Sequence, residues 1–149
     1  SIANMQLRLP VVVIGGGLTA IDTATEALAY YPVQVEKFLK RYEILTAVQG
    51  EAAIRDVWDA EEKEIANEFL SHARAIRSER EAAEREGRIS RIIALLQSWG
   101  GATIAYRKRL IDSPSYTLNH EEVEKAYSGE NHQQCDNGIL FSHLSIKNK

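Results

Sequence analysis

The sequence feature that most constrains the fold is a short apolar run that stops at three consecutive glycines and continues in a helical pattern. Residues 9–14 are rich in β-branched side chains and show no alternation, which predicts a strand buried on both faces of a sheet. Residues 18–29 place apolar side chains near helical spacing, and Pro32 is expected to end that helix. The run therefore predicts a strand, a tight glycine turn and a helix.

The glycine turn matches the dinucleotide-binding pattern Gly-x-Gly-x-x-Gly, with alanine at the last position. Gly15 permits the tight turn, Gly17 lets the backbone approach a pyrophosphate, and Ala20 keeps the helix close to the strand. The free N–H groups at the start of the helix would face the phosphates. A glycine-rich loop with accidental spacing is the alternative, but the position between a strand and a helix favours nucleotide binding. The predicted cofactor-binding residues of the turn are Gly15, Gly16, Gly17, Leu18, Thr19 and Ala20.

Residues 33–99 have a different character, because long charged stretches carry an apolar stripe at helical spacing. Asp59 and Glu62 resemble a capping box at a helix start, and Gly87 is expected to end that helix. We expect three or four helices that pack on one another as an insertion between the first helix and the second strand. Its expected anchors are Phe38, Leu39, Trp58, Phe69, Leu96 and Trp99.

A second strand is predicted at residues 102–106, and basic residues follow it. In dinucleotide-binding domains an acidic residue at this place binds the free ribose hydroxyl of NAD, whereas cations accommodate the 2′-phosphate of NADP. Arg107 and Lys108 therefore predict a preference for NADP. A solvated basic turn without a ligand is the alternative.

These residues resemble a known family. Residues 12–22 look like the second nucleotide-binding motif of the glutamate synthase small subunit and its relatives. Residues 106–108, with Pro114, Glu121 and Glu122, resemble the tyrosine–basic–basic segment that follows in that family. The resemblance covers about residues 9–125, but no FAD-type glycine motif or cysteine cluster accompanies it. It implies the NADP(H)-binding portion of a flavin-dependent oxidoreductase of pyridine nucleotide-disulfide reductase type, passing hydride from NADPH to FAD held by segments outside this chain.

Together these patterns predict an α/β protein with a partial Rossmann-type dinucleotide-binding fold, two parallel strands with helices, interrupted by a helical insertion. Residues 1–149 are interpreted as one fragment of an NAD(P)-binding domain. Its Rossmann part comprises residues 9–32 and 101–127, the insertion residues 33–99, and an irregular tail residues 130–149. Two strands leave sheet edges unpaired, so we expect self-association or a complementary FAD-binding segment.

Composition excludes some functions. A net charge of −3 gives no electrostatic footprint for nucleic acid or an anionic membrane, and no apolar run approaches the ~20 residues of a transmembrane helix. Cys135 is the only cysteine, which favours a cytoplasmic location. His132 and Cys135 lack the further ligands of a zinc site, so we expect no metal, and no residue is expected to be catalytic.

Two other functions stay open. The first is a non-catalytic helical interaction module. The second is a Rossmann-like domain for another ligand, such as S-adenosylmethionine or a nucleotide sugar.

Overall fold

The computed structural model describes residues 6–105. The contacts among them divide into two units, which we call the sheet unit (residues 6–31 and 93–105) and the helical unit (residues 32–92). The first helix contributes residues to both. In chain order the elements are β1 (Val11–Ile14), α1 (Leu18–Gln49), α2 (Glu51–Arg55), α3 (Ala60–Glu86), α4 (Ile92–Ser98) and β2 (Ala102–Ala105).

The sheet unit contains a two-stranded parallel sheet. Val11 pairs with Ala102 and Ile14 with Ala105. Ala102 and Ile104 point to the buried face of this sheet and are 5% and 1% exposed. Other buried side chains of the unit come from the first part of α1 and from α4; they are Ala20, Ala24, Ala27, Leu28, Tyr31 and Leu96.

The prediction of a partial Rossmann-type α/β fold is wrong. Helices take up 71% of the described residues, and the sheet in this part of the chain has two strands of four residues each. A doubly wound fold needs a larger parallel sheet with helices covering both faces. Instead, Val12 and Ile14 on one face of β1 are 60% and 88% exposed, so β1 is not buried on both faces as expected. The described chain is a helical protein with a small parallel sheet.

The expected end of the first helix at Pro32 is also wrong, because α1 continues through it to Gln49. A proline inside a helix removes one backbone hydrogen bond and costs about 3 kcal/mol. Tyr31, Val35 and Leu39 lie on one stripe of α1 and are at most 1% exposed. Burial of each large apolar side chain contributes roughly 1.5–3 kcal/mol, so the stripe together outweighs the proline.

The helical unit is built around the second part of α1 and α3, which run antiparallel. Two salt bridges show the antiparallel orientation, because Glu36 pairs with Arg80 and Glu43, later in α1, pairs with Arg77, earlier in α3, each at 2.8 Å. Asp59 caps α3: its carboxylate accepts the Glu62 N–H at 2.8 Å, and the Glu62 carboxylate accepts the Asp59 N–H at 3.0 Å. The predicted capping box is thereby confirmed.

Aromatic rings join the helices of this unit. Phe38 contacts Phe69 edge-on with ring centroids 5.8 Å apart, and it stacks on Trp58 at 6.4 Å. Leu96 and Trp99, expected as anchors of the same unit, belong instead to the sheet unit.

A polar network fixes the short helix α2 within the helical unit. Arg55 donates from Nε to the Tyr42 hydroxyl at 2.8 Å and to Glu51 at 2.9 Å, and from Nη1 to Asn67 at 2.8 Å. The Tyr42 hydroxyl donates to Glu51 at 2.6 Å. The Arg55 guanidinium also lies 5.5 Å from the centre of the Tyr42 ring.

Candidate functional site

The glycine turn joins β1 to α1, and its first residue is constrained by packing. Gly15 has φ 150°, a conformation that other residues rarely adopt. A Cβ at this position would lie 3.3 Å from the Cβ of Ala20, which is buried. A small residue at position 20 therefore lets the helix approach the end of the strand, as the dinucleotide-binding pattern requires.

Gly17 differs from Gly15 in a way that bears on function. Its φ lies outside the left-handed range, and a Cβ built there meets no described atom within 4 Å. Its carbonyl accepts the N–H groups of Ala20 at 3.0 Å and Ile21 at 3.4 Å, so Gly17 occupies the N-cap position of α1. Neither the backbone nor packing within the described residues requires glycine here.

The start of α1 has the properties of an anion-binding helix end. The N–H groups of Leu18 and Thr19 have no hydrogen-bond partner among the described residues, and both residues are exposed. The first turn carries no acidic side chain, and a glycine N-cap offers no side-chain oxygen. These N–H groups, together with the positive end of the helix dipole, are therefore available to a negatively charged group.

The threonine in the first turn adds a local contact. The Thr23 hydroxyl donates to the Thr19 carbonyl at 2.7 Å. The Thr19 hydroxyl makes no hydrogen bond within residues 6–105 and Thr19 is exposed, so this hydroxyl is available as a donor beside the helix start.

The carboxyl end of β2 lies beside the glycine turn. The Gly15 N–H donates to the Ala105 carbonyl at 3.0 Å, directly extending the parallel ladder. Arg107 and Lys108, the predicted partners of the 2′-phosphate, follow Ala105 by two and three positions in the sequence and lie outside the described residues. The structure thus brings together the predicted turn residues and the strand that precedes the basic pair.

The described groups with shifted pKa values belong to the helical unit. A hydrogen bond from Arg88 and another from the Arg91 N–H hold the pKa of Glu79 at about 2. The hydrogen bond from Arg77 lowers the pKa of Glu43, and burial lowers the pKa of His72. Ion pairing and burial within this unit account for these shifts.

Two other features bear on possible functions. No group of three or more potential metal ligands occurs among residues 6–105. None of the helices in the described part combines the length and apolarity that crossing a bilayer requires.

The sequence pattern does not reveal why glycine is required just before β2. Gly100 has φ 104°, and a Cβ there would lie 2.8 Å from the Cβ of Pro10. The Val11 N–H donates to the Gly101 carbonyl at 3.0 Å, so this glycine pair adjoins the first bond of the ladder. The Gly-Gly sequence signals the end of a helix, but nothing in the sequence indicates its contact with Pro10.

Comparison with known proteins gives one informative similarity. The chain is 44% identical over 120 residues to "Uncharacterized protein RP006" of Rickettsia prowazekii (strain Madrid E). The matched region covers 80% of this chain but 14% of that relative. No protein-family model and no solved structure matches the chain. The geometry of the glycine turn therefore carries the functional argument.

Proposed function

We propose that the chain supplies the NADP(H)-binding portion of a flavin-dependent oxidoreductase, in which hydride passes from NADPH to FAD held by other segments. The observation that carries this proposal lies at Gly17, where the described residues give no reason for glycine and the N–H groups at the helix start find no partner among residues 6–105. A ligand backbone approaching this point gives a reason for glycine that packing does not supply.

The pyrophosphate is assigned to the start of α1. Its oxygens would accept from the N–H groups of Leu18 and Thr19, and the Thr19 hydroxyl could add a third donor. Hydrogen bonds to a charged group contribute roughly 1.5–3 kcal/mol each. Gly15 and Ala20 would act indirectly, by keeping the strand end and the helix start in contact.

The 2′-phosphate of NADP is assigned to Arg107 and Lys108. These residues follow β2, whose last residue accepts a hydrogen bond from Gly15. In parallel sheets, ligands bind outside the carboxyl ends of the strands, and this pair follows such an end by two and three residues in the sequence. A guanidinium and an ammonium favour a phosphate over a neutral ribose hydroxyl.

The chain's own residues would orient the nucleotide and would not take part in bond making. In nicotinamide–flavin enzymes the cofactors supply the redox chemistry, and the protein supplies binding, orientation and electrostatics. This agrees with the expectation that none of the residues here is catalytic. The resemblance of residues 12–22 to the glutamate synthase family motif supports the flavin-dependent class.

Titration of the purified chain with NADPH and NADH, followed by calorimetry, tests this function. We expect NADH to bind about tenfold or more weakly, because one decade corresponds to roughly 1.4 kcal/mol. Gly17→Val should weaken both nucleotides, since a branched side chain would occupy the pyrophosphate position. Arg107→Ala with Lys108→Ala should remove the preference and leave NADH binding nearly unchanged.

A matched control comes from the helical unit, where Lys40 and Arg41 are adjacent in the sequence and exposed. Replacing both by alanine removes the same charge and should leave the preference intact. Equal affinity for the two nucleotides would contradict the assignment of Arg107 and Lys108. Failure of a folded chain to bind either nucleotide would contradict the proposed function as a whole.

A second candidate is a helical interaction module without nucleotide binding. Exposed apolar side chains near the end of α1 favour it, since Ile44 is 55%, Leu45 43% and Val48 77% exposed. This candidate predicts no response to either nucleotide, and it predicts that Val48→Lys disrupts binding of a partner while Gly17→Val has no effect. The same titration therefore separates the two functions.

A further inference from the structure

The edge of β1 that faces away from β2 has backbone groups available to pair with another strand. In a parallel ladder, only alternate residues of a strand bond to the neighbouring strand. The Val11 N–H donates to the carbonyl of Gly101, the residue before β2, and the Gly15 N–H donates to the carbonyl of Ala105, the last residue of β2. The N–H and C=O groups of Val12 and Ile14 therefore point away from β2. No strand of the described residues lies on that side.

The side chains along this edge are apolar and exposed. Ile14 is 88% and Val12 60% exposed, and both lie on the face opposite the buried Ile104. Proteins usually protect such edges with lysine, proline or a bulge, and the four residues Val11–Ile14 contain none of these.

We infer that β1 is the interface through which two copies of this chain associate, by antiparallel pairing of β1 with β1 of the second copy. A two-fold axis at Val13 places Val12 opposite Ile14 of the second copy, and Ile14 opposite Val12. Each of these pairs exchanges two backbone hydrogen bonds, because the required N–H and C=O groups all face outward. The result is a four-stranded sheet in the order β2–β1–β1–β2.

A second copy fits this edge because β1 is self-complementary. Opposed valine and isoleucine side chains pack favourably across antiparallel strands, and an uncharged strand meets no like charge when it pairs with itself. Isologous pairing of this kind forms a closed dimer that leaves β1 no free edge. The inference does not depend on what the glycine turn binds.

The dimer is expected to be weak. Pairing of two four-residue strands buries less surface than the roughly 1,000 Å² of a stable interface. Monomer and dimer should therefore both be present at chain concentrations between about 10 µM and 1 mM. In this range of concentration a tenfold change in Kd is easily measured.

The test uses two isoleucines of nearly equal exposure. Ile14 is 88% exposed on the β1 edge, and Ile89 is 90% exposed in the helical unit. Sedimentation equilibrium of the chain should show a concentration-dependent dimer. Ile14→Lys should weaken it at least tenfold, because two lysines would face the partner strand, whereas Ile89→Lys should leave it unchanged. Circular dichroism checks that both variants remain folded.

Hydrogen exchange provides a second readout that needs no substitution. The amides of Val12 and Ile14 should become protected as concentration rises, while the amide of Val13, already directed to β2, should change little. A monomer at every concentration would overturn the inference. So would a dimer that Ile89→Lys weakens as much as Ile14→Lys, or one that leaves the Val12 and Ile14 amides unprotected.

Discussion

Replacing Gly100 by alanine should destabilise the sheet unit more than the same change at its neighbour Gly101. A Cβ at position 100 would lie 2.8 Å from the Pro10 Cβ and 3.3 Å from the Pro10 Cα, and the backbone atom cannot move away cheaply. At position 101 the nearest atom is the Gln97 Cα at 3.8 Å, an ordinary contact. Both glycines have positive φ, at 104° and 57°, so both substitutions carry backbone strain.

The expected magnitudes separate these two contributions. A left-handed conformation costs a residue with a side chain roughly 1–2 kcal/mol, which is the expected loss for Gly101→Ala. Gly100→Ala adds overpacking against Pro10, typically about 1–3 kcal/mol. We therefore expect a loss of roughly 2–5 kcal/mol at Gly100 and a difference of about 1–3 kcal/mol between the two variants.

Urea unfolding measures this difference. Trp99 lies in the sheet unit and Trp58 in the helical unit, so fluorescence in a Trp58→Phe background reports on the sheet unit. The free energy of unfolding from the midpoint and slope should fall for both variants, with the larger fall at Gly100. Equal losses, or a larger loss at Gly101, would refute the argument that contact with Pro10 requires glycine at position 100.

Three further predictions concern the helical unit. Ile76→Ala, at a fully buried position, should lower the free energy of unfolding by about 2–5 kcal/mol in chemical denaturation, and a loss below 1 kcal/mol would contradict the assigned core. Tyr42→Phe removes the hydroxyl that donates to Glu51 and accepts from Arg55. Because that hydroxyl is the main cause of the lowered pKa of Glu51, this pKa should rise toward 4.5 in an NMR titration of the variant. An unchanged pKa of Glu51 would contradict the network. Burial lowers the pKa of His72 below 6.5, so the stability that comes with neutral His72 is present above about pH 6.5 and is lost as the pH falls through the folded pKa. Thermal melts should show this loss, and His72→Gln should reduce it. An equal loss in the variant would contradict the lowered pKa of His72.

The sequence predicts local elements well where neighbouring residues determine them. The strand, glycine turn and helix start form where the pattern predicts them, because β-branched residues, glycines and an apolar stripe act over a few positions. The capping box at Asp59 and the helix end at Gly87 are equally local. These signals are independent of the rest of the fold.

The sequence fails where distant packing decides the outcome. Pro32 signals a helix end, but the buried stripe of Tyr31, Val35 and Leu39 carries the helix through it. The fold class is wrong because the glycine turn describes one connection and not the number of strands in the sheet. Similarly, an unalternated apolar strand suggests two covered faces, whereas Ile14 is exposed. For the candidate site, the turn geometry is local, and the positions of Arg107 and Lys108 stay a prediction.

The ion pair between Glu36 and Arg80 has a consequence for how the chain folds. The two strands come from opposite ends of the described chain, so their pairing closes a long loop, and long-range pairing of this kind is slow. The helical unit can form first from contacts close in sequence, and the Glu36–Arg80 contact then bypasses much of that loop. Each halving of loop length lowers the entropic cost of closure by about 0.6 kcal/mol. If the helical unit forms first, the charged helices between the strands shorten the loop that pairing of β1 with β2 has to close.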